Sequence, residues 1–208
     1  APADLQKEGS HFDLAIALGY MLSNDEIKFD PEGKIFLGEL ALNGELKAVK
    51  GILSLVKSAK ALGFTEIFVP EPNAKEAALI EGITIYPVKN LIQVVEHLDD
   101  KKDFCLVPQP PPEIVYEAPK YAIDFSDVRG QELAKRGLEI AAAGAHNIAM
   151  YGPPGTGKTM LARAFSSILP QLSKEDVLEV TAIHSIVGIL EDSLVTSTPF
   201  RSPHATSS

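Results

Sequence analysis

The residues with the clearest chemical purpose are Gly152-Pro153-Pro154-Gly155-Thr156-Gly157-Lys158-Thr159, a run that fits the pattern GxxxxGK[ST]. That spacing suits phosphate binding. Glycines allow a tight turn that aims several backbone N–H groups inward, and the N-terminus of a following helix adds its dipole. Lys158 would reach the β and γ phosphates of a nucleoside triphosphate as a mobile point charge, and the Thr159 hydroxyl would ligate Mg²⁺. A glycine-rich turn with an accidental Lys-Thr is the bland alternative. The flanks argue against it, because the motif needs a strand before the loop and a helix after it, and both are written here.

The elements that must position this loop follow from the pattern around it. DFSDVRGQELAKRGLEIAAAGAHNIAMYGPPGTGKT predicts a loop, an Ala-rich helix from about Gln131 to Ala143, a strand at Asn147 to Tyr151, the glycine-rich loop, and a helix through Leu169. LSKEDVLEVTAIHSI predicts another helix, with Ser173 at its N-cap and acidic residues in the first turn. Before this unit lies a stiff linker, residues 104–121, where Pro108, Pro110, Pro111, Pro112 and Pro119 remove backbone donors and favour extended chain.

Residues 1–103 read as a separate α/β domain. HFDLAIALGYML predicts a mostly buried helix, with Phe12, Ile16, Leu18 and Tyr20 recurring and Leu14 and Met21 filling in. IFLGELALNG predicts a strand that turns at Asn43-Gly44 into a partner strand, ELKAV. GILSLVKSAKALG predicts a helix stopped by Gly63, TEIFVP and GITIYPV two further strands, and NAKEAALIEG a helix with Asn73 as N-cap. NLIQVVEHLDD closes as a helix whose apolar face carries Leu91, Val94, Val95 and Leu98.

Composition sets the limits. The net charge is −9 and acidic residues outnumber basic ones on both sides of the linker, so nothing here builds a phosphate-backbone binder by composition alone. One cysteine, Cys105, excludes an internal disulfide and any multi-cysteine zinc site. The histidines, His11, His97, His146, His184 and His204, lack paired metal spacing. No run approaches the roughly 18 uncharged apolar residues of a membrane span and no leader is apparent, so a cytoplasmic protein with no membrane partner is expected. The first residue is Ala and the last, PFRSPHATSS, close no domain, so a fragment at both ends is expected.

PADLQKEGSHFDLAIALG, GELALNGELKAVKG, the phosphate loop and PFRSPH together resemble the YifB/ComM family of magnesium-chelatase-like AAA+ ATPases. The resemblance covers nearly the whole chain. It implies ATP and Mg²⁺ as cofactors, an ATP hydrolase as parent, a homo-hexameric ring, and, as in some members, action on DNA during recombination. A magnesium-chelatase-type subunit that drives metal insertion into a tetrapyrrole is the alternative. The stretch Asp124 to Gln131 resembles the segment that AAA+ proteins set against adenine, which places Val128 and Gly130 at the base. PFRSPH, with Arg201 and His204, matches a family motif beyond the first helices of the ATPase domain. Residues 122–208 are thus expected to be the start of an AAA+ domain, cut before its Walker B acid and competent to bind but not to hydrolyse.

Residues 1–103 resemble, more distantly, the Lon-protease-like (ribosomal protein S5 domain 2-like) fold, also found in RadA-type recombination proteins. Matching QKEGSHFD and KGILSL to the two active-site stretches of that fold puts His11 at the serine position and Leu53 at the lysine position. Neither can do that chemistry. Ser10 lies one residue off and has no base assigned to it, so no peptidase activity is expected.

Overall fold

The computed structural model describes residues 10–99, 103–116, 121, 123–190 and 194–201, and divides into two compact units, 1–113 with 178–194 and 114–177 with 195–208. Gln6 to Gly9, Pro119 and His204 fall outside the described residues.

The first unit runs α1 (Asp13–Ser23), β1 (Lys34–Phe36), β2 (Glu39–Leu40), β3 (Leu46–Lys47), α2 (Ile52–Ala61), β4 (Glu66–Pro70), α3 (Ala74–Ala77), β5 (Thr84–Val88) and α4 (Leu91–Leu98). β1, β4 and β5 form a parallel sheet in the order β1-β4-β5. Its register sorts the side chains by type. Ile35, Ile67 and Ile85 lie across from one another, as do Phe36, Phe68 and Tyr86. Alternation along each strand sends these two rows to opposite faces. The isoleucine face meets α2 and α3 in a cluster with Val56, Ala59 and Ala77. The aromatic face meets α1 and α4 through Leu14, Leu18, Val94 and Leu98. Phe68 is fully buried, its ring stacked 4.8 Å from Phe36 and 4.9 Å from Tyr86. Truncating such a side chain to Ala costs about 3–5 kcal/mol.

Several expectations change in the folded chain. The single strand expected across IFLGELALNG is two, because Leu37 and Gly38 turn aside between them. Leu37 N–H donates to Phe68 O at 2.9 Å and Gly38 N–H to His11 O at 2.8 Å, so β1 joins the parallel sheet while β2 pairs antiparallel with β3. α1 is buried along Leu14 and Leu18 only, whereas Phe12, Ile16 and Tyr20 stand exposed. α3 is shorter than expected, and Asn73 does not cap it. Its side chain bonds instead to both backbone groups of Val49 at 2.9 Å, closing the loop that leads into α2. The chain beyond α4 is held to this unit by Leu106 N–H, which donates to His97 Nδ1 at 3.0 Å, and by Gln109 N–H, which donates to Ile85 O at 2.8 Å. Burial beside Phe68 and Tyr86 keeps the His97 pKa below its usual value.

The second unit contains α5 (Glu132–Ala143), α6 (Lys158–Phe165) and the start of α7 (Lys174–Val187), which passes to the first unit's residues at Leu178. Ser173 and Asp176 bond reciprocally at the start of α7, as expected for an N-cap. The strand expected at Asn147 to Tyr151 is absent. A strand is maintained by a neighbour, and among the described residues none pairs with this segment, so Ile148 and Tyr151 remain exposed. The core of this unit is a small cluster of Val128, Leu138, Leu161 and Ala164.

Candidate phosphate-binding site

α6 opens directly from the glycine-rich loop. Gly155 and Gly157 both take φ +81°, a region where side chains are rarely found, and an added Cβ at either would meet nothing within 4 Å. The glycines are therefore needed for backbone shape rather than for space. The helix ladder begins with Leu161 N–H donating to Gly157 O at 2.9 Å, and no side chain caps the helix. The N–H groups of Lys158, Thr159 and Met160 precede that bond and have no acceptor within the helix.

Lys158 folds back over the loop. Its Nζ donates to Gly152 O at 2.9 Å, to Pro153 O at 2.6 Å and to Thr156 Oγ1 at 3.3 Å. Thr156 Oγ1 donates in turn to Pro153 O at 3.0 Å. Lys158 and Gly152 are half-buried, whereas Pro153, Pro154, Gly155, Thr156, Gly157 and Thr159 are exposed. No acidic residue lies within Gly152 to Thr159. A helix N-terminus without a side-chain cap and an ammonium group, in a loop without an acidic residue, form a donor set that fits a polyphosphate.

The turn before α5 is tied to α6. Asp124 Oδ1 accepts from Ser126 N–H at 2.8 Å and Ser126 Oγ at 2.6 Å, bonds that hold its carboxyl below the usual range. Phe125 N–H donates to Ser167 Oγ at 2.9 Å, just beyond α6. Val128 is buried in the apolar cluster with Leu138, Leu161 and Ala164. Gly130 is exposed with φ +66°, and next to it Gln131, not singled out from the sequence, donates from Nε2 to Thr156 O at 3.4 Å. Its sequence signal was its place at the end of the Asp124 to Gln131 stretch, where Val128 and Gly130 were the residues named. Arg201 is exposed. Among the described residues no group of three or more His, Cys, Asp or Glu could hold a metal ion.

In the first unit, His11 lies against the turn that leads into α2, and Leu53 lies inside that helix. His11 Nε2 lies 3.3 Å from Lys50 O, two residues before α2 begins. Leu53 is 1% exposed and part of the isoleucine-face core, and its N–H donates to Glu76 Oε1 at 3.3 Å. Burial raises the Glu76 pKa, opposed by hydrogen bonds from Ser185, Leu53 N–H and Asn73. Beside it is an open cavity of about 440 Å³ lined in part by Lys50, Lys75, Asn73 and Ser185. No buried side-chain N or O among the described residues lacks a partner, so this polar floor is already satisfied.

A phosphate loop that follows a parallel α/β unit along the chain defines a class, and comparison with known proteins narrows it. Residues 124–208 match the family model for magnesium chelatase, subunit ChlI, and residues 1–73 the model for subunit ChlI of Mg-chelatase. The whole chain is 37% identical to competence protein ComM of Haemophilus influenzae and 41% identical to the uncharacterised protein YifB of Escherichia coli K12. It covers 41% and 40% of those proteins, so the chain spans about two fifths of the length of the curated relatives it matches. A stretch covering 41% of the chain is 38% identical to 18% of the DNA repair protein RadA of Aquifex aeolicus. The chain belongs to the magnesium-chelatase-like YifB/ComM family.

Proposed function

We propose that this chain is the ATP-binding part of an AAA+ ATPase that works as an ATP-driven motor on DNA. The observation that carries the reading is the uncapped N-terminus of α6 together with the Lys158 ammonium folded over a loop that holds no acidic residue. Gly152, Gly155, Thr156 and Gly157 supply the turn, with Pro153 and Pro154 stiffening it. Lys158 exchanges its carbonyl partners for phosphate oxygens and stabilises the charge that develops on them. Thr159, together with the nucleotide's own oxygens, holds Mg²⁺. Val128 and Gly130 lie on the base side. A bound nucleotide would supply the reactive phosphoryl group and the metal would offset its charge, and what these residues do is bind, orient and neutralise it. The DNA repair role in the name RadA and the match to competence protein ComM support action on DNA, and a ring of six copies in the parent is part of the same proposal.

Residues 1–103 complete the reading as a Lon-protease-like module without peptidase chemistry. The support is the full burial of Leu53, an apolar side chain where a proton acceptor would be needed. Casein hydrolysis by the chain should be undetectable, and hydrolysis lost on His11→Ala would overturn this. The motor reading is tested in the full-length parent, where Lys158→Ala should abolish ATP hydrolysis stimulated by branched DNA. Retention of most of the rate would mean that the phosphate site lies elsewhere.

A further inference from the structure

Gly130 and Gln131 adopt left-handed φ values in succession, +66° and +60°. A residue with a side chain takes that region reluctantly, and a non-glycine held there invites a functional explanation. Gln131 precedes α5 and provides its first acceptor, with Lys135 N–H donating to Gln131 O at 2.9 Å. A residue at such a position commonly turns a short polar side chain back to cap the helix, but Gln131 makes no such bond. Its amide reaches across to the phosphate loop, where Nε2 donates to Thr156 O at 3.4 Å. Thr156 is also held by its own hydroxyl on Pro153 O and lies within 3.3 Å of Lys158 Nζ. A chain of bonds therefore runs from the exposed turn at Gly130 through Gln131 and Thr156 to the loop's ammonium group.

We propose that Gln131 is a positioning residue that couples the base-side turn to the phosphate loop, so that base and phosphates of a nucleoside triphosphate are bound as one unit. The inference rests on the nucleotide reading above. A nucleoside triphosphate engages both arms of this arrangement. Inorganic tripolyphosphate engages only the loop. Coupling through Gln131 therefore favours the nucleotide and gives the bare polyphosphate little.

The test measures binding of ATP and of inorganic tripolyphosphate, each with Mg²⁺, to the whole chain by titration calorimetry. Gln131→Gly keeps the left-handed backbone without strain and deletes the side chain. It should weaken ATP about fivefold, the loss of one ordinary hydrogen bond, and leave tripolyphosphate within about twofold. Gln131→Glu, nearly the same shape, sets an acceptor against the Thr156 carbonyl and should weaken ATP further. Gln131→Gly binding ATP as well as the unaltered chain, or losing both ligands equally, would overturn the coupling. Lys158→Ala separates the two claims. If it loses both ligands while Gln131→Gly loses neither, only the coupling fails. If the unaltered chain binds neither ligand, the nucleotide reading fails and the coupling with it.

Discussion

Two helices of the chain, α2 and α6, each begin after a glycine in the left-handed region, Gly51 at φ +70° and Gly157 at φ +81°, and neither has a side-chain cap. Both glycines adjoin a lysine, Lys50 before the first and Lys158 after the second. At α2 the unpaired amides are answered from within the unit: Glu76 Oε1 accepts Leu53 N–H at 3.3 Å, and Ser185 Oγ accepts Gly51 N–H at 3.0 Å. At α6 the corresponding amides face an exposed loop without an acidic residue. A helix N-terminus favours negative charge in either case. It becomes a ligand site only where the fold has not already supplied the acceptor.

That contrast breaks first at Lys158. Lys158→Ala should reduce ATP affinity of the chain by at least about tenfold, since hydrogen bonds involving a charged group contribute about 1.5–3 kcal/mol. The melting temperature should change little, because Lys158 is half-buried and packs in no apolar cluster. Calorimetric titration and a thermal melt on one preparation give both numbers. A large loss of stability with unchanged affinity would reverse the roles assigned to the two helices.

Glu76→Leu attacks the other side. It leaves Leu53 N–H buried without its acceptor and should destabilise the chain by about 1–3 kcal/mol in urea unfolding, without altering ATP affinity. An ATP effect larger than the stability effect would mean that the polar floor near α2 is itself a ligand site. A third helix calibrates the scale. In α4, Asn90 caps conventionally, its Oδ1 accepting Gln93 N–H at 3.0 Å, so Asn90→Ala should cost about 1 kcal/mol. A cost at Asn90 equal to or above that at Glu76 would mean that the buried carboxyl adds nothing beyond an ordinary cap.

The phosphate loop was legible in the sequence because its chemistry is local: the glycines, Lys158 and Thr159 lie within one turn and the helix that follows. Most elements of the first unit were legible for the same reason, since the periods around Val56, Phe68 and Val94 are set by neighbouring residues. What escaped was decided at a distance. Asn73 looked like a cap because it precedes an alanine-rich helix, but Val49, far away in sequence, offers it two backbone partners. Ile16 and Tyr20 fit the apolar period of α1, but the aromatic sheet face buries Leu14 and Leu18 and leaves those two exposed. Asn147 to Tyr151 has strand-like composition, but composition does not provide a partner. Gln131 ends a stretch that was legible, but its bond was not, because that depends on where the Thr156 carbonyl comes to lie.

The smallest expected effect concerns the charge on Glu76. Desolvation raises its pKa above the ordinary glutamate value despite hydrogen bonds from Ser185, Leu53 N–H and Asn73. A raised carboxyl pKa means that the folded chain prefers the protonated form. The stability from this group is therefore fully present below the ordinary value and is lost as pH rises through the folded one. Glu76→Gln keeps an oxygen for Leu53 N–H and removes the charge, and the Ser185 hydroxyl oxygen retains a lone pair to accept from the new amide. At neutral pH the variant should equal the unaltered chain or exceed it by up to about 1 kcal/mol. Its relative stability should rise with pH across the interval between the ordinary and raised values and then level off. Urea unfolding of both chains from about pH 4 to 8 measures the difference directly. A difference that is flat throughout would show that the two effects cancel, and one that falls with rising pH would show that the hydrogen bonds to the carboxylate outweigh its desolvation. Glu76 would then act at α2 as a favourable internal anion, in the way that a phosphate is expected to act at α6.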